Sequence, residues 1–208
     1  MCIGRVRGSE VPDASLRRIK TSNWDDFPCR VRAGTVSPAI DGNQVIIGDI
    51  LNSKQVHNGA NVMSVDRQTG TLRWITQVDA HPAAEITGSP VVFDGVVYIG
   101  VSSNEETLAL DPTYPCCSFR GSIVALDEKT GAMLWKTFDM PDNGGRPGGY
   151  SGGAVWQPPA IDPKRGTLFI GTGNNYTAPA DVEACQNATA TANCAAADDF
   201  LTLPWRWI

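Results

Sequence analysis

SIVALDEKTGAMLW, residues 122–135, decides the fold. It is an apolar run, an Asp-Glu-Lys-Thr-Gly turn, and a second run closed by tryptophan. The same order stands earlier in NVMSVDRQTGTLRW, residues 61–74, where Asp66, Thr69, Gly70 and Trp74 match Asp127, Thr130, Gly131 and Trp135. Each copy is preceded by another strand pair. SPAIDGNQVIIGD (37–49) and SPVVFDGVVYIGV (89–101) both read strand, Asp-Gly turn, strand, and Asp-Gly between apolar runs is a strong hairpin signal. A third copy opens at PPAIDPKRGTLFIGTG (158–173). The loops inside the repeats vary in length while the strand halves keep theirs. Four short strands per repeat, each repeat closed by a Trp, is the pattern of a β-propeller blade. The Trp is expected to pack one blade on its neighbour, and the Gly to permit the tight turn before it.

Composition agrees with many short strands. The 208 residues include 21 Gly and 14 Pro, which favours turns over long helices. The formal net charge of −5, with no basic run longer than two residues, argues against a nucleic-acid partner, because phosphate binding needs clustered Lys and Arg. No apolar run reaches the length of a membrane span. The opening residues, MCIGRVRGSEVPDASLRRIK, lack the apolar core of a signal peptide.

Residues 1–30 show no clean periodicity and are expected to be poorly specified. Residues 31–208 are expected to form a partial propeller, all-β, of about two and a half four-stranded blades. Propellers close with about 4 to 8 blades, so this number forms an arc. Its end blades expose apolar faces that neighbouring blades normally bury. A piece of a longer protein, or self-association, answers that difficulty, and the abrupt PWRWI ending favours the former.

The polar clusters gather at strand ends: Glu105-Glu106, Cys116-Cys117, Trp156 and Asn174-Asn175. Each has an ordinary reading. The glutamates suit a solvated loop, Trp156 a core position, and the asparagines a turn. Cys116-Cys117 reads as a vicinal disulfide, as two free thiols, or as partners of distant cysteines. Cys185 and Cys194 bracket a small-residue loop and read equally as a disulfide, which implies an oxidising compartment, or as reduced thiols. The run GGRPGGYSGG lacks the Lys-Ser/Thr end of a phosphate loop and reads as an inter-blade loop. His57 and His81 read as loop residues without a catalytic partner.

Taken in order, ITGSPVV, VSSNEE, RGSIVALDEKTG, GGAVWQPPAIDP and IGTGNNY resemble the motifs of the quinoprotein alcohol dehydrogenases. ALDEKTGAMLW is similar to that family's tryptophan-docking repeat. CCSFRGS, PDNGGRPGGYSGGAVW and GTGNNYTAP are closest to its polyvinyl-alcohol-dehydrogenase-like branch. The resemblance covers roughly residues 35–200. It implies an eight-bladed propeller, pyrroloquinoline quinone and calcium as cofactors, and oxidation of an alcohol, with polymeric polyols among the candidates. It also implies an electron acceptor such as a cytochrome c and a periplasmic or secreted location.

Carried over residue by residue, the resemblance has Thr87 and Ser102 bond the quinone's oxygens and Trp156 lie flat against its ring. Glu105 and Asn174 would be calcium ligands, Glu105 being chosen over Glu106 because it stands three residues after Ser102. Arg120 would brace the site loop. The family's general-base aspartate belongs to a later blade, and nothing in DDFLTLPWRWI matches it. No catalytic residue is therefore assigned, and the chain alone is expected to be inactive. The other reading is a propeller that kept its blades, lost the chemistry, and serves as an assembly scaffold.

Overall fold

The computed structural model describes residues 36–50, 59–188 and 194. The segment 1–30, the residues after 194 with their PWRWI ending, and His57 lie outside the described residues. Two complete blades and the opening hairpin of a third are present. The first blade is β1 (Ala39–Asp41), β2 (Gln44–Gly48), β3 (Ala60–Asp66) and β4 (Leu72–Asp79), antiparallel and in sequence order. The second blade follows β5 (Ala84–Glu85). It is β6 (Val91–Phe93), β7 (Val96–Ser103), β8 (Ser122–Asp127) and β9 (Met133–Phe138). Helix α1 (Glu105–Leu108) leads out of β7. Beyond β9 come β10 (Ser151–Gly152), the hairpin β11 (Ala160–Asp162) and β12 (Thr167–Phe169), β13 (Asn175–Thr177), and helix α2 (Ala180–Ala188). β13 pairs back onto β10. The described sheets form an arc and do not close on themselves.

The turns form where the sequence asks for them. Asp94 and Gly95 have φ of 50° and 75°, the left-handed pair a two-residue hairpin needs. At the longer turns an aspartate folds back on the backbone. Asp127 Oδ1 accepts from the Lys129 and Thr130 N–H groups and the Thr130 hydroxyl, and Asp66 does the same for Gln68 and Thr69. The side chains that fill the core come from the middle strands. β2 is buried along its whole length, and β8 is buried from Ser122 to Leu126. Ile46, Val62, Trp74, Val97, Ile99, Val124 and Leu126 share one continuous cluster across both blades.

Trp74 docks as the repeat predicts. Its Nε1–H donates to the Glu128 carbonyl at 2.9 Å, and its ring covers Gly131 of the next blade's turn. Thr76 adds a bond from its hydroxyl to the Gly131 carbonyl at 2.6 Å. Lys136 ties the far end of the same seam, donating to Asp79 Oδ2 at 2.6 Å and to the Val78 carbonyl at 2.9 Å. Trp135, the equivalent residue of the second blade, is 41% exposed and leans on Tyr98 instead. The described part of the third blade ends with its first hairpin, so the turn that would receive Trp135 is not among the described residues.

Against the second blade's other side runs Gly152–Val155. Val155 N–H donates to the Val101 carbonyl at 3.0 Å, and in the same seam Gly121 N–H donates to the Gly152 carbonyl and Gly152 N–H to the Phe119 carbonyl, both at 2.8 Å. A Cβ at Gly121 would collide with the Gly153 backbone, so only glycine lets these two segments approach. This contact brings the residues after β10 to the end of β7.

Candidate functional site

At that meeting point is an open cleft of about 250 Å³, lined by Glu85, Thr87, Ser102, Ser103, Glu106, Ala154, Trp156, Gly173, Asn174 and Tyr176. Four separate stretches build its three walls. β5 and the following Thr87 form one wall. The end of β7 forms the next, in register with β5 through Glu85 opposite Ser102. The third wall is Ala154 to Trp156 together with Gly173 to Tyr176, joined by a Gly173 N–H bond to the Ala154 carbonyl at 2.9 Å. The site therefore lies between the second blade and the third repeat.

Four of the six residues named from the sequence meet here. The Thr87 and Ser102 hydroxyls are 2.7 Å apart, and the Ser102 hydroxyl also reaches the Glu85 carbonyl at 3.1 Å. Ser102 is held deep, 2% exposed, so its hydroxyl is fixed in direction. Trp156 leaves 52% of its surface open to the cleft and solvent, an unusual exposure for an indole. Asn174 is exposed in the same wall as Trp156 and donates through Nδ2 to the Asn175 carbonyl at 3.1 Å, leaving its Oδ1 as the acceptor to offer a ligand.

The other two lie elsewhere. Arg120 pairs with Asp142 at 2.8 Å, approaches the Met140 carbonyl at 3.4 Å, and stacks over the Phe138 ring at 4.0 Å. It braces the loop after β9, outside the cleft lining. Glu105 is fully buried behind the cleft. Its Oε1 accepts from the Tyr114 hydroxyl at 3.1 Å and the Ser118 N–H at 2.8 Å, and its Oε2 accepts from the Phe119 N–H at 2.8 Å. Burial, then the neighbouring Glu105 charge and hydrogen bond, push the Tyr114 phenol up to about 12.

Of the lining residues with charged or phenolic side chains, Glu85 and Tyr176 were not singled out from the sequence, and Glu106 was weighed there and passed over for Glu105. Strand alternation carries a signal for Glu85, which precedes Thr87 by two and so shares its face. Glu106 stands three residues after Ser103, the same spacing that Glu105 keeps from Ser102. Tyr176 is half-buried, and burial raises its phenol above the usual range, opposed by a hydrogen bond with the Ser103 side chain and reinforced by the charges of Glu106, Glu105 and Glu85. It is a neutral donor here rather than a base.

His81 is more firmly placed than a free loop residue. Its Nδ1 accepts from the Ala83 N–H at 3.1 Å, so in the neutral ring the proton is on Nε2. Nε2 faces the Ser118 hydroxyl at 3.0 Å and Glu105 Oε1 at 3.7 Å. Burial lowers its pKa, partly opposed by Glu105 and Asp79, so the neutral form dominates at pH 7. A ring that donates to serine cannot take its proton, and this Ser-His-Glu grouping is not a nucleophilic triad. Both cysteine pairs are bonded. Cys116 and Cys117 form a vicinal disulfide, and Cys185 of α2 is joined to Cys194. α2 is seated through Val182 on Met140 and Tyr150. Among the described residues no helix is long and apolar enough to cross a membrane, and no group of three or more His, Cys, Asp or Glu is arranged to hold a metal by itself.

The arc of four-stranded antiparallel blades carries PQQ-type repeats, and the chain's homologues are polyvinylalcohol and quinohemoprotein alcohol dehydrogenases. Residues 23–113 match a PQQ-repeat family model described as outer membrane protein assembly factor BamB. The chain is 39% identical over 124 residues to a polyvinylalcohol dehydrogenase of a Pseudomonas species and 41% identical over 124 residues to one from Sphingopyxis. Each alignment covers 55% of this chain and 19% of the relative, so the chain spans about a fifth of the length of these proteins. It is also 28% identical over 178 residues to a quinohemoprotein alcohol dehydrogenase of Comamonas testosteroni, covering 69% of this chain and 23% of that one. Among solved structures, a quinohemoprotein alcohol dehydrogenase from Pseudomonas putida superimposes with a TM-score of 0.50 at 24% identity, over 66% of this chain and 20% of that one, a likeness of fold.

Proposed function

We propose that this chain supplies the quinone-facing blades of an alcohol-oxidising quinoprotein and that the cleft is its cofactor seat. The observation that carries this reading is that the half-open Trp156 and two paired hydroxyls, Thr87 and Ser102, line one cleft of about 250 Å³. An indole gives a planar ring system a broad apolar contact, the Tyr176 phenol is a donor to its oxygens, and the Thr87 hydroxyl becomes one by turning from Ser102, whose own proton goes to the Glu85 carbonyl. Bound there, pyrroloquinoline quinone with calcium supplies the oxidising chemistry. The residues present suit both groups. Asn174 and the carboxylates at the wall are hard oxygen donors of the kind calcium takes. Too few protein ligands line the cleft for a self-sufficient cage, so the cation's remaining oxygens would come from the cofactor and water.

In this reading the substrate is an alcohol, and the likeness to polyvinylalcohol dehydrogenases favours a polymeric one. The electron acceptor would be a cytochrome c, and the setting periplasmic or extracellular, in keeping with two bonded cysteine pairs. The remaining blades would come from further chain or from other copies.

A second reading is favoured by the BamB description of the matching family model: a non-catalytic propeller that scaffolds protein assembly. A scaffold needs the docking repeats but has no use for an open indole beside fixed hydroxyls. Absorbance titration of the 208-residue chain with pyrroloquinoline quinone and calcium separates the two. Saturable binding that Trp156→Ala weakens supports the cofactor seat. Binding absent, or indifferent to Trp156→Ala, rejects it in favour of the scaffold.

A further inference from the structure

The connection from β7 to β8, residues 104–121, is longer than its counterpart from β2 to β3, residues 49–59. The extra length builds α1 and the loop that folds back across it. The chain keeps turning past α1. The Ala109 N–H donates to the Glu105 carbonyl at 2.9 Å, the Leu110 N–H to the Thr107 carbonyl at 3.2 Å, and the Asp111 N–H to the Leu108 carbonyl at 3.0 Å. Leu110 therefore stands one turn beyond Glu106, and side chains at that spacing are neighbours on one face. Glu106 lines the cleft, so Leu110 is set at its rim. It is 82% exposed, more than any other large apolar side chain among the described residues.

A single exposed leucine on a slack loop needs no explanation. This loop is tied at its tip and behind it. Asp111 Oδ1 accepts from the Thr113 N–H at 2.9 Å and from the Thr113 hydroxyl at 2.7 Å. The Tyr114 N–H donates to the Asp111 carbonyl at 2.9 Å, and Pro112 between them has its φ fixed by its ring. Further back, the Tyr114 hydroxyl and the Ser118 and Phe119 N–H groups all donate to the buried Glu105 carboxylate. These bonds hold an apolar side chain out in water, where it adds nothing to the core. An apolar group fixed in advance beside a cleft lowers the ordering cost of a ligand that lands on it.

We infer that Leu110 is a substrate contact, taking the hydrocarbon backbone of a polymeric polyol where it runs out of the cleft. A poly(vinyl alcohol) chain alternates methylene with hydroxyl-bearing carbons. One hydroxyl can enter the cleft while carbons further along the same chain lie on Leu110. A small alcohol ends before it reaches the rim. The inference rests on the cleft being the cofactor seat proposed above, and it names the side chain that favours a polymer there.

The test is isothermal titration of the full 208-residue chain with poly(vinyl alcohol), run beside the quinone absorbance titration and a melting curve for each variant. Leu110→Ser is expected to weaken polymer binding by about tenfold, the worth of one buried leucine contact. It is expected to leave quinone binding and the melting temperature unchanged, since so exposed a side chain supports no core. Leu110→Met keeps the apolar contact and is expected to hold polymer affinity within about threefold of the parent. Leu134→Ser is the control. Leu134 is 51% exposed on β9, outside the cleft lining, and its loss is expected to change polymer binding by less than about threefold. Polymer binding unaffected by Leu110→Ser, or weakened equally by Leu134→Ser, overturns the contact alone. A parent chain that takes quinone but no polymer overturns the contact and leaves the cofactor seat standing. A parent chain that takes no quinone overturns the seat, and the contact as a substrate contact with it.

Discussion

Replacing Gly131 by alanine tests how the two blades are joined. Gly131 has φ of +72°, and a Cβ there would stand 2.6 Å from Trp74 Cδ2 and Cε3 and 2.8 Å from Thr76 Oγ1. Three effects act together. Alanine in the left-handed region costs about 1 kcal/mol. Displacing the indole strains a packed seam by about 1 to 3 kcal/mol. The Trp74 bond to the Glu128 carbonyl, at 2.9 Å, is pulled off its geometry, a loss of about 1 kcal/mol. Together these come to about 3 to 5 kcal/mol, a large share of the stability of any domain this size. Gly95→Ala is the matched control. Gly95 has φ of +75°, but its Cβ would meet nothing within 4 Å, so only the conformational cost of about 1 kcal/mol applies. Urea unfolding followed by circular dichroism measures both, with tryptophan emission reporting on the seam. Equal losses for the two variants would refute the claim that Trp74 docks on the neighbouring turn.

Two other perturbations probe the same seam. Glu128 lies against Asp41 and accepts from Gln44 Nε2, and its carboxyl is pushed up chiefly by burial and then by the hydrogen bond and charge of Asp41. The folded state therefore holds this proton more tightly than the unfolded chain, so the residue's contribution is full at low pH and is lost as pH rises through the raised pKa. Glu128→Gln should gain stability relative to the parent between about pH 4 and pH 7, and parallel stability curves across that range would reject the raised carboxyl. Lys136→Met should cost about 1 to 3 kcal/mol in the same urea assay, because it leaves Asp79 Oδ2 and the Val78 carbonyl short of a donor in a part-buried seam. The loss should be nearly the same at low and high salt, and one that vanishes in high salt would place the pair in bulk solvent.

Most of the blade architecture was legible because each signal was local. Asp94-Gly95 and Asp127 to Gly131 fix their turns through left-handed backbone and side-chain bonds to the next two or three N–H groups, all within a few residues. The strand halves then follow from pattern and pairing. Trp74 was legible for a different reason: the repeat put an indole at a fixed offset, and the neighbouring copy supplied a glycine to receive it. The same rule failed to bury Trp135, since docking belongs to a pair of blades and the sequence of one blade cannot say whether its neighbour's turn is in place.

The cleft divides along the same line. Thr87, Ser102, Trp156 and Asn174 were brought together at the cleft, three of them from at or beside a strand end and Trp156 from the connection between β10 and β11. Arg120 and Glu105 were not, because a long charged side chain goes to whichever partner its surroundings leave open. Arg120 finds Asp142 and the Phe138 face, both on the segment after β9. Glu105 finds the N–H groups of Ser118 and Phe119, which reach it only because residues 109–119 fold back across α1. Sequence offset cannot decide between neighbours on a helical turn, where one residue's step moves a carboxylate from the cleft to the core. The folded-back loop supplies that decision by presenting two backbone donors that must be satisfied once buried. Glu105 satisfies them and is withdrawn from the cleft, while Glu106 stays exposed at its wall.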